Sequence, residues 1–184
     1  MNEKGESFTM EEQRGNKLVL IGFMGTGKST VSRLLAEKLG WKRVDGDEEI
    51  EKHENRQISE IFASDGEAGF RDIETKVLHH ILADEDCCVV ATGGGAVLRE
   101  TNRQLMLGNG FVVALKASHD QILARVKTDT ARPLLYGDAE DRVNLLLEQR
   151  KEAYDFAHLT IDTTSLSAEE VVAAILEQSR LKQA

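Results

Sequence analysis

Short apolar runs recur along the chain: KLVLIG (17–22), WKRVD (41–45), CVVATGGG (88–95), FVVALK (111–116) and, less strongly, HLTID (158–162). Each has the length of a strand, and the first and third run into glycine. Between them the apolar spacing changes to that of a helix. Val31, Leu34, Leu35 and Leu39 share one face, and Gly40 follows as a C-terminal stop. Phe70, Ile73, Val77, Leu78 and Ile81 form a second stripe, and residues 141–156 read as a helix with the Leu145–Leu147 run buried. Ser118 with Gln121, and Ser167 with Glu170, have the spacing of capping boxes at helix starts. Short apolar strands alternating with helices predict an α/β sandwich built on a mainly parallel sheet.

In such sheets ligands bind beyond the carboxyl ends of the strands. The residues with chemistry to offer fall where those ends are expected: Gly22–Ser29 after the first strand, Asp45 and Asp47 after the second, Gly93–Gly95 after the third. That coincidence predicts one composite site.

The 184 residues suit a single domain with a real core, and 41% hydrophobic residues with few aromatics are ordinary for a globular protein. A net charge of -9 argues against non-specific nucleic-acid binding, while leaving room for a local cationic cluster that takes an anionic ligand. No apolar run approaches membrane-spanning length. The first residues, MNEKGESFTMEEQRGNK, are too polar for a signal peptide and too acidic for a transit peptide. Residues 1–16 read as a flexible extension and 17–184 as one domain. Cys87 and Cys88 are adjacent, have no zinc-type spacing around them and offer no disulfide framework; both read as small buried residues in a reducing, cytoplasmic setting. Histidines 53, 79, 80, 119 and 158 show no ligand spacing and read as surface or packing residues.

Gly22, four residues, then Gly27-Lys28-Ser29 fits G-x-x-x-x-G-K-[ST]. Glycines let the backbone curl until its N–H groups converge on phosphate oxygens, and the following helix adds its positive end. Lys28 can reach the β- and γ-phosphates, and the Ser29 hydroxyl can ligate Mg²⁺. A random chain of this length matches the pattern on the order of once in a hundred. The strand before and the helix after are the context that the motif requires.

The loop does not by itself name the reaction. A guanine-reading N-K-x-D is missing, and so is a strand ending in an acidic pair as in motor ATPases. A kinase for a small acceptor needs a carboxylate near the acceptor hydroxyl, cations around the phosphoryl group and a lid against water. Asp45 and Asp47 in VDGDEEIE can serve different partners, one holding Mg²⁺ through water and the other taking a proton or hydrogen bond. Acid enrichment at a helix start is the plainer alternative. Arg71, Arg132 and Arg150 are candidates for bidentate binding of a carboxylate or phosphate; for Arg71 an ion pair with Glu74 is the alternative. Arg132 precedes Pro133, the one proline of the chain, in a polar stretch.

Taken together, GFMGTGKST, VDGDEEIE, ISEIFASDGEAGFRDIE, ATGGGAV, RPLL and QRKEAYDFAHLTIDT resemble the shikimate kinase family, in that family's order, from about Lys17 to about Leu176. The P-loop is generic; the aspartate pair followed by F-R-x-x-E and G-G-G is specific. The resemblance implies a three-layer P-loop fold of the nucleoside-monophosphate-kinase type with a five-stranded parallel sheet. It implies a substrate-binding segment at about 45–80 and a mobile lid at about 128–138. It implies transfer of the γ-phosphoryl of ATP, with Mg²⁺, to the 3-hydroxyl of shikimate, by a monomer, in aromatic amino-acid (chorismate) biosynthesis. Carried over by position, Gly25, Thr26, Gly27, Lys28, Ser29 and Thr30 hold ATP, with Arg125 against adenine and Arg132 reaching from the lid to the phosphates. Asp47 binds the acceptor hydroxyls and acts as base, and Ser29 and Asp45 (through water) serve the metal. Arg71 and Arg150 clamp the carboxylate, and Gly93, Gly94 and Gly95 line the ring pocket. Lys28 and Arg132 neutralise charge during transfer. The chain departs at NRQ (55–57), where the family often has a glycine, and in DTTSLSAEE, which lacks a frequent proline. Gluconate or adenylate kinase of the same fold, and a regulatory relative without catalysis, are the rival readings. The intact Lys28, aspartate pair and arginines oppose the last.

Overall fold

The computed structural model describes residues 16–128 and 139–179. Arg132 lies outside them, as do nearly all of the expected lid and residues 1–15 of the expected extension. Five strands, β1 (Lys17–Gly22), β2 (Lys42–Asp45), β3 (Cys88–Ala91), β4 (Phe111–Lys116) and β5 (Leu159–Asp162), form one sheet in the order β2-β3-β1-β4-β5. Every neighbouring pair is parallel. The helices among the described residues are α1 (Lys28–Leu39), α2 (Gly46–Glu54), α3 (Ile58–Ala83), α4 (Glu100–Asn109), α5 (His119–Thr128), α6 (Ala139–Gln149) and α7 (Ala168–Ser179).

The central strands β1, β3 and β4 are almost wholly apolar because both faces of the sheet are covered there, whereas the edge strands β2 and β5 carry polar, partly exposed residues. Leu18 and Leu20 of β1 meet Val31, Leu35 and Leu39 of α1 and Val172 and Ile175 of α7. Val19 and Ile21 point the other way, into a core shared with Leu78 and Leu82 of α3, Met106 of α4 and Ile122 of α5. Complete burial of such a side chain contributes about 1.5–3 kcal/mol, so this two-sided packing fixes the strand register firmly. In that register Asp45 is level with Ala91 and Ala91 with Leu20. The segments that follow β1, β2 and β3 therefore emerge side by side.

A third, smaller core of Ile50, Ile61, Phe70 and Val77 ties α2 to α3. Asn55 at the α2–α3 junction adopts φ 51 and caps α2 through its N–H to the Glu51 carbonyl. Asparagine tolerates the left-handed conformation, so NRQ makes the turn without a glycine. α3 bends at Gly66 (φ 69, ψ -175).

Two expectations are corrected. Cys87 is exposed and only Cys88 is buried, because β3 begins at Cys88. Leu145 is 59% exposed, while Leu146 and Leu147 pack on the core. Three consecutive helical residues span too wide an arc to share one face, and α6 ends at Gln149 rather than continuing to 156. The capping box at Ser167 is complete, with N–H bonds in both directions to Glu170. At Ser118 only one arm forms: its Oγ accepts from Gln121 N–H, while the Gln121 amide donates to the Thr164 carbonyl.

The bend at Gly66 lies in backbone space that side chains rarely occupy. We expect Gly66→Ala to lower stability by about 1–3 kcal/mol, read as a shift of the denaturation midpoint at constant slope. An unshifted midpoint would show that the bend carries no such constraint.

Candidate active site

β1 delivers the chain into a loop braced from within. A Cβ on Gly22 would run into the Leu115 carbonyl of the adjoining strand. The Thr26 hydroxyl is buried and donates to the Phe23 carbonyl at 2.8 Å. Lys28 Nζ donates to the carbonyls of Gly22 and Phe23, both at 2.8 Å. Gly27 (φ 97) then caps the start of α1 and presents the helix N-terminus to the loop. Thr26 thus shapes the loop with its side chain, whereas Gly25, Gly27, Lys28, Ser29 and Thr30 line an open cleft of about 230 Å³.

The opposite wall of this cleft comes from the ends of β2 and β3: Asp45, Asp47, Thr92, Gly93 and Gly94. Asp45 is fixed. One oxygen accepts from Asp47 N–H at 3.1 Å, capping α2, and the other pairs with Arg43 at 2.9 Å. Arg43 is held in turn by Ser32 of α1. Asp47 sits in the first turn of α2, where the helix dipole favours its charge. Arg125 of α5 also lines the cleft, with Nη1 donating to the Gly25 carbonyl at 2.9 Å.

The glycine run lies at the centre of the charged groups. A Cβ on Gly93 would stand 2.8 Å from Asp47 Oδ1 and 3.1 Å from Glu74 Oε1. One on Gly94 would stand 3.7 Å from Arg150 Nη1, and one on Gly95 2.7 Å from Arg71 Cζ. Asp47, Arg71 and Arg150, far apart in sequence, therefore converge on one short backbone segment. The run is tethered at both ends. Thr92 bonds to the Leu20 carbonyl, and Arg99 pairs with Asp72 of α3 at 2.7 Å.

Arg71 is paired with Glu74 at 2.6 Å and lies near the Phe70 ring. Its Nε–H is buried and has no acceptor among the described residues. Burial pushes the Glu74 carboxyl above the ordinary glutamate value; Arg71 opposes the rise and the charge of Asp47 adds to it. Arg150 follows α6, with its guanidinium 5.8 Å from the centre of the Phe23 ring. The ion pair of Arg71 with Glu74 thus forms, and it leaves the Arg71 Nε–H without an acceptor among the described residues.

Two residues at the site receive no role of their own from sequence reasoning. Glu74 enters there only as the end of F-R-x-x-E and as the ion-pair alternative for Arg71. Tyr154, whose Oη donates to the Gly94 carbonyl at 2.9 Å, carries no signal beyond its spacing from Arg150.

A family model described as shikimate kinase matches residues 24–180. A shikimate kinase of Thermodesulfovibrio yellowstonii is 44% identical over 88% of this chain and 93% of its own length. One of Geobacter metallireducens is 45% identical over 86% of this chain and 88% of its own. The solved structure of an Acinetobacter baumannii shikimate kinase in complex with shikimate superposes with a TM-score of 0.84 at 37% identity. It covers 95% of this chain and all of the other, 100%.

The raised Glu74 value has a consequence for stability. The contribution is fully present below the ordinary value of 4.5 and is lost as pH rises through the folded value. Glu74→Gln does not titrate there. We expect the Tm of this variant, relative to the native protein, to rise as pH goes from acid to neutral. A difference independent of pH would contradict the assignment.

Proposed function

The chain belongs to the shikimate kinase family and phosphorylates a hydroxyl of shikimate from ATP; from that premise we propose how its own residues carry out the transfer. The single observation that carries the reading is that a phosphate-binding loop, a helix-start aspartate and a glycine run flanked by two arginines open into one another. The backbone N–H groups of Gly25–Thr30 and the start of α1 take the phosphates, and Lys28 leaves its loop carbonyls for the β- and γ-oxygens. Arg125 lies against adenine. Arg132, outside the described residues, reaches the phosphates from the lid at 128–138.

The acceptor is oriented from both ends. Arg71 and Arg150 hold its carboxylate, and the buried Nε–H of Arg71 supplies a donor that nothing in the described protein answers. Gly93–Gly95 allow the ring to lie against backbone. Asp47 accepts a hydrogen bond from the 3-hydroxyl and takes its proton as that oxygen attacks the γ-phosphorus. The bond from phosphorus to the β–γ bridging oxygen breaks, and ADP leaves. Positioning and charge neutralisation supply most of the acceleration.

ATP kinases of this family work with a divalent metal, and we assign Mg²⁺. The residues fit it: Ser29 and the immobilised Asp45 line facing walls of the same cleft. Among the described residues no cluster of three or more metal-binding side chains exists. That suits an ion held mainly by water and phosphate oxygens. When bound, it spreads the charge of the phosphates. One chain supplies every group named, so the working form in this reading is a monomer, acting in the cytoplasm where ATP is found. No described helix is long and apolar enough to cross a membrane.

ADP release with ATP and Mg²⁺ tests the reading against shikimate, quinate, gluconate, AMP and no acceptor, with Lys28→Ala as the blank. We expect turnover with shikimate alone; turnover with gluconate or AMP would overturn the acceptor site. Asp47→Asn should cut kcat by about 10²–10⁴-fold with little change in ATP binding. Unaltered turnover would remove Asp47 as the base.

A further inference from the structure

The turns after α6 bring two side chains to one glycine. Arg150 Nη1 lies beside Gly94, and Tyr154, four residues on, donates from Oη to the Gly94 carbonyl at 2.9 Å. Tyr154 is 6% exposed, its ring sunk in the same core as Phe23 and Val143. Burial pushes the phenol up and Arg150 opposes the rise, so the net shift keeps the hydroxyl protonated, a donor, at neutral pH.

A donor on that carbonyl fixes more than one atom. In a planar trans peptide the N–H points opposite to the C=O, and no cis bond occurs here. With the Gly94 oxygen turned to Tyr154, the N–H of Gly95 is directed away from it. Among the described residues nothing accepts from that N–H. Ala96 N–H donates to the Gly93 carbonyl at 3.1 Å, closing a turn whose central peptide is Gly94–Gly95. With glycine at both central positions that peptide can take either orientation within the turn, and the bond from Tyr154 selects between them, since Thr92 and Arg99 hold only the ends.

We propose that Tyr154 is a positioning residue for the acceptor: it locks the Gly94–Gly95 peptide plane and holds the Arg150 segment beside it, so that the Gly95 N–H and the Arg150 guanidinium face the acceptor carboxylate together. The proposal rests on the reading of Arg150 and the glycine run as the acceptor site. It separates two functions of the segment after α6: Arg150 binds, and Tyr154 keeps the backbone partner in place.

Tyr154→Phe keeps the ring and removes Oη. Loss of one such hydrogen bond should raise the KM and the Kd for shikimate roughly five- to tenfold. The KM for ATP should stay within about twofold and the Tm should hold. An unchanged KM for shikimate overturns the proposal. So does a parallel loss for ATP and shikimate with a lowered Tm, which is the signature of a merely structural tyrosine. Arg150→Ala is measured alongside. A raised shikimate KM in that variant with none in Tyr154→Phe removes the role of Tyr154 alone; an unchanged KM in Arg150→Ala removes the acceptor-site reading beneath it. Should the phenylalanine variant fail to fold, ¹⁵N spectra of the native enzyme decide. Shikimate must shift the Gly95 amide resonance, and a resonance that does not move overturns the proposal.

Discussion

Three consecutive residues after β3 carry no side chain, and charged groups stand where those side chains would be. Asp47 and Glu74 crowd Gly93, Arg150 approaches Gly94, and Arg71 covers Gly95. The site depends on this close approach. In the proposed reading, a carboxylate for a hydroxyl and two guanidinium groups for a carboxylate can serve one small rigid molecule only if they surround a backbone thin enough to admit it. The parallel register of β2, β3 and β1 supplies the other half of the arrangement, because it places the same backbone beside the phosphate-binding loop.

The electrostatics of this cluster run against the protein as a whole. The chain carries a net charge of -9 and binds two anionic substrates. Lys28, Arg71, Arg125 and Arg150 concentrate positive charge at the ends of β1 and β3, and two of the acidic groups near them are already paired. Asp45 is held by Arg43 and the start of α2, and Glu74 by Arg71. Pairing Arg71 with a buried carboxylate fixes its direction, at the cost of desolvating Glu74, and the raised value of that carboxyl records the cost.

Much of this was legible in the chain. β1 and β4 stand out because strands buried on both faces are apolar without alternation, and Gly22–Ser29 names its own chemistry through its spacing. Asp47, Arg71 and Arg150 are individually ambiguous; their shared order with the glycine run pointed to one site, and the fold brings all three side chains to that run. What stayed hidden depends on tertiary contact. Cys87 and Cys88 are chemically equal, yet the strand starts between them. Leu145 looks like core in a leucine run, but helix geometry turns it outward. Gly66 reads as any glycine until its left-handed bend is seen, and nothing near Tyr154 announces a bond to a carbonyl 60 residues away.

In the proposed function, bare backbone at the glycine run admits the acceptor between Asp47 and the two arginines. Calorimetric titration of Gly95→Ala with shikimate, and separately with ATP and Mg²⁺, tests it most directly. The added methyl would overlap the Arg71 guanidinium. We expect shikimate binding to fall by at least about tenfold, the equivalent of about 1.4 kcal/mol, while the nucleotide binds as before and the fold persists. Native affinity for shikimate in that variant would show that the acceptor does not lie against Gly95.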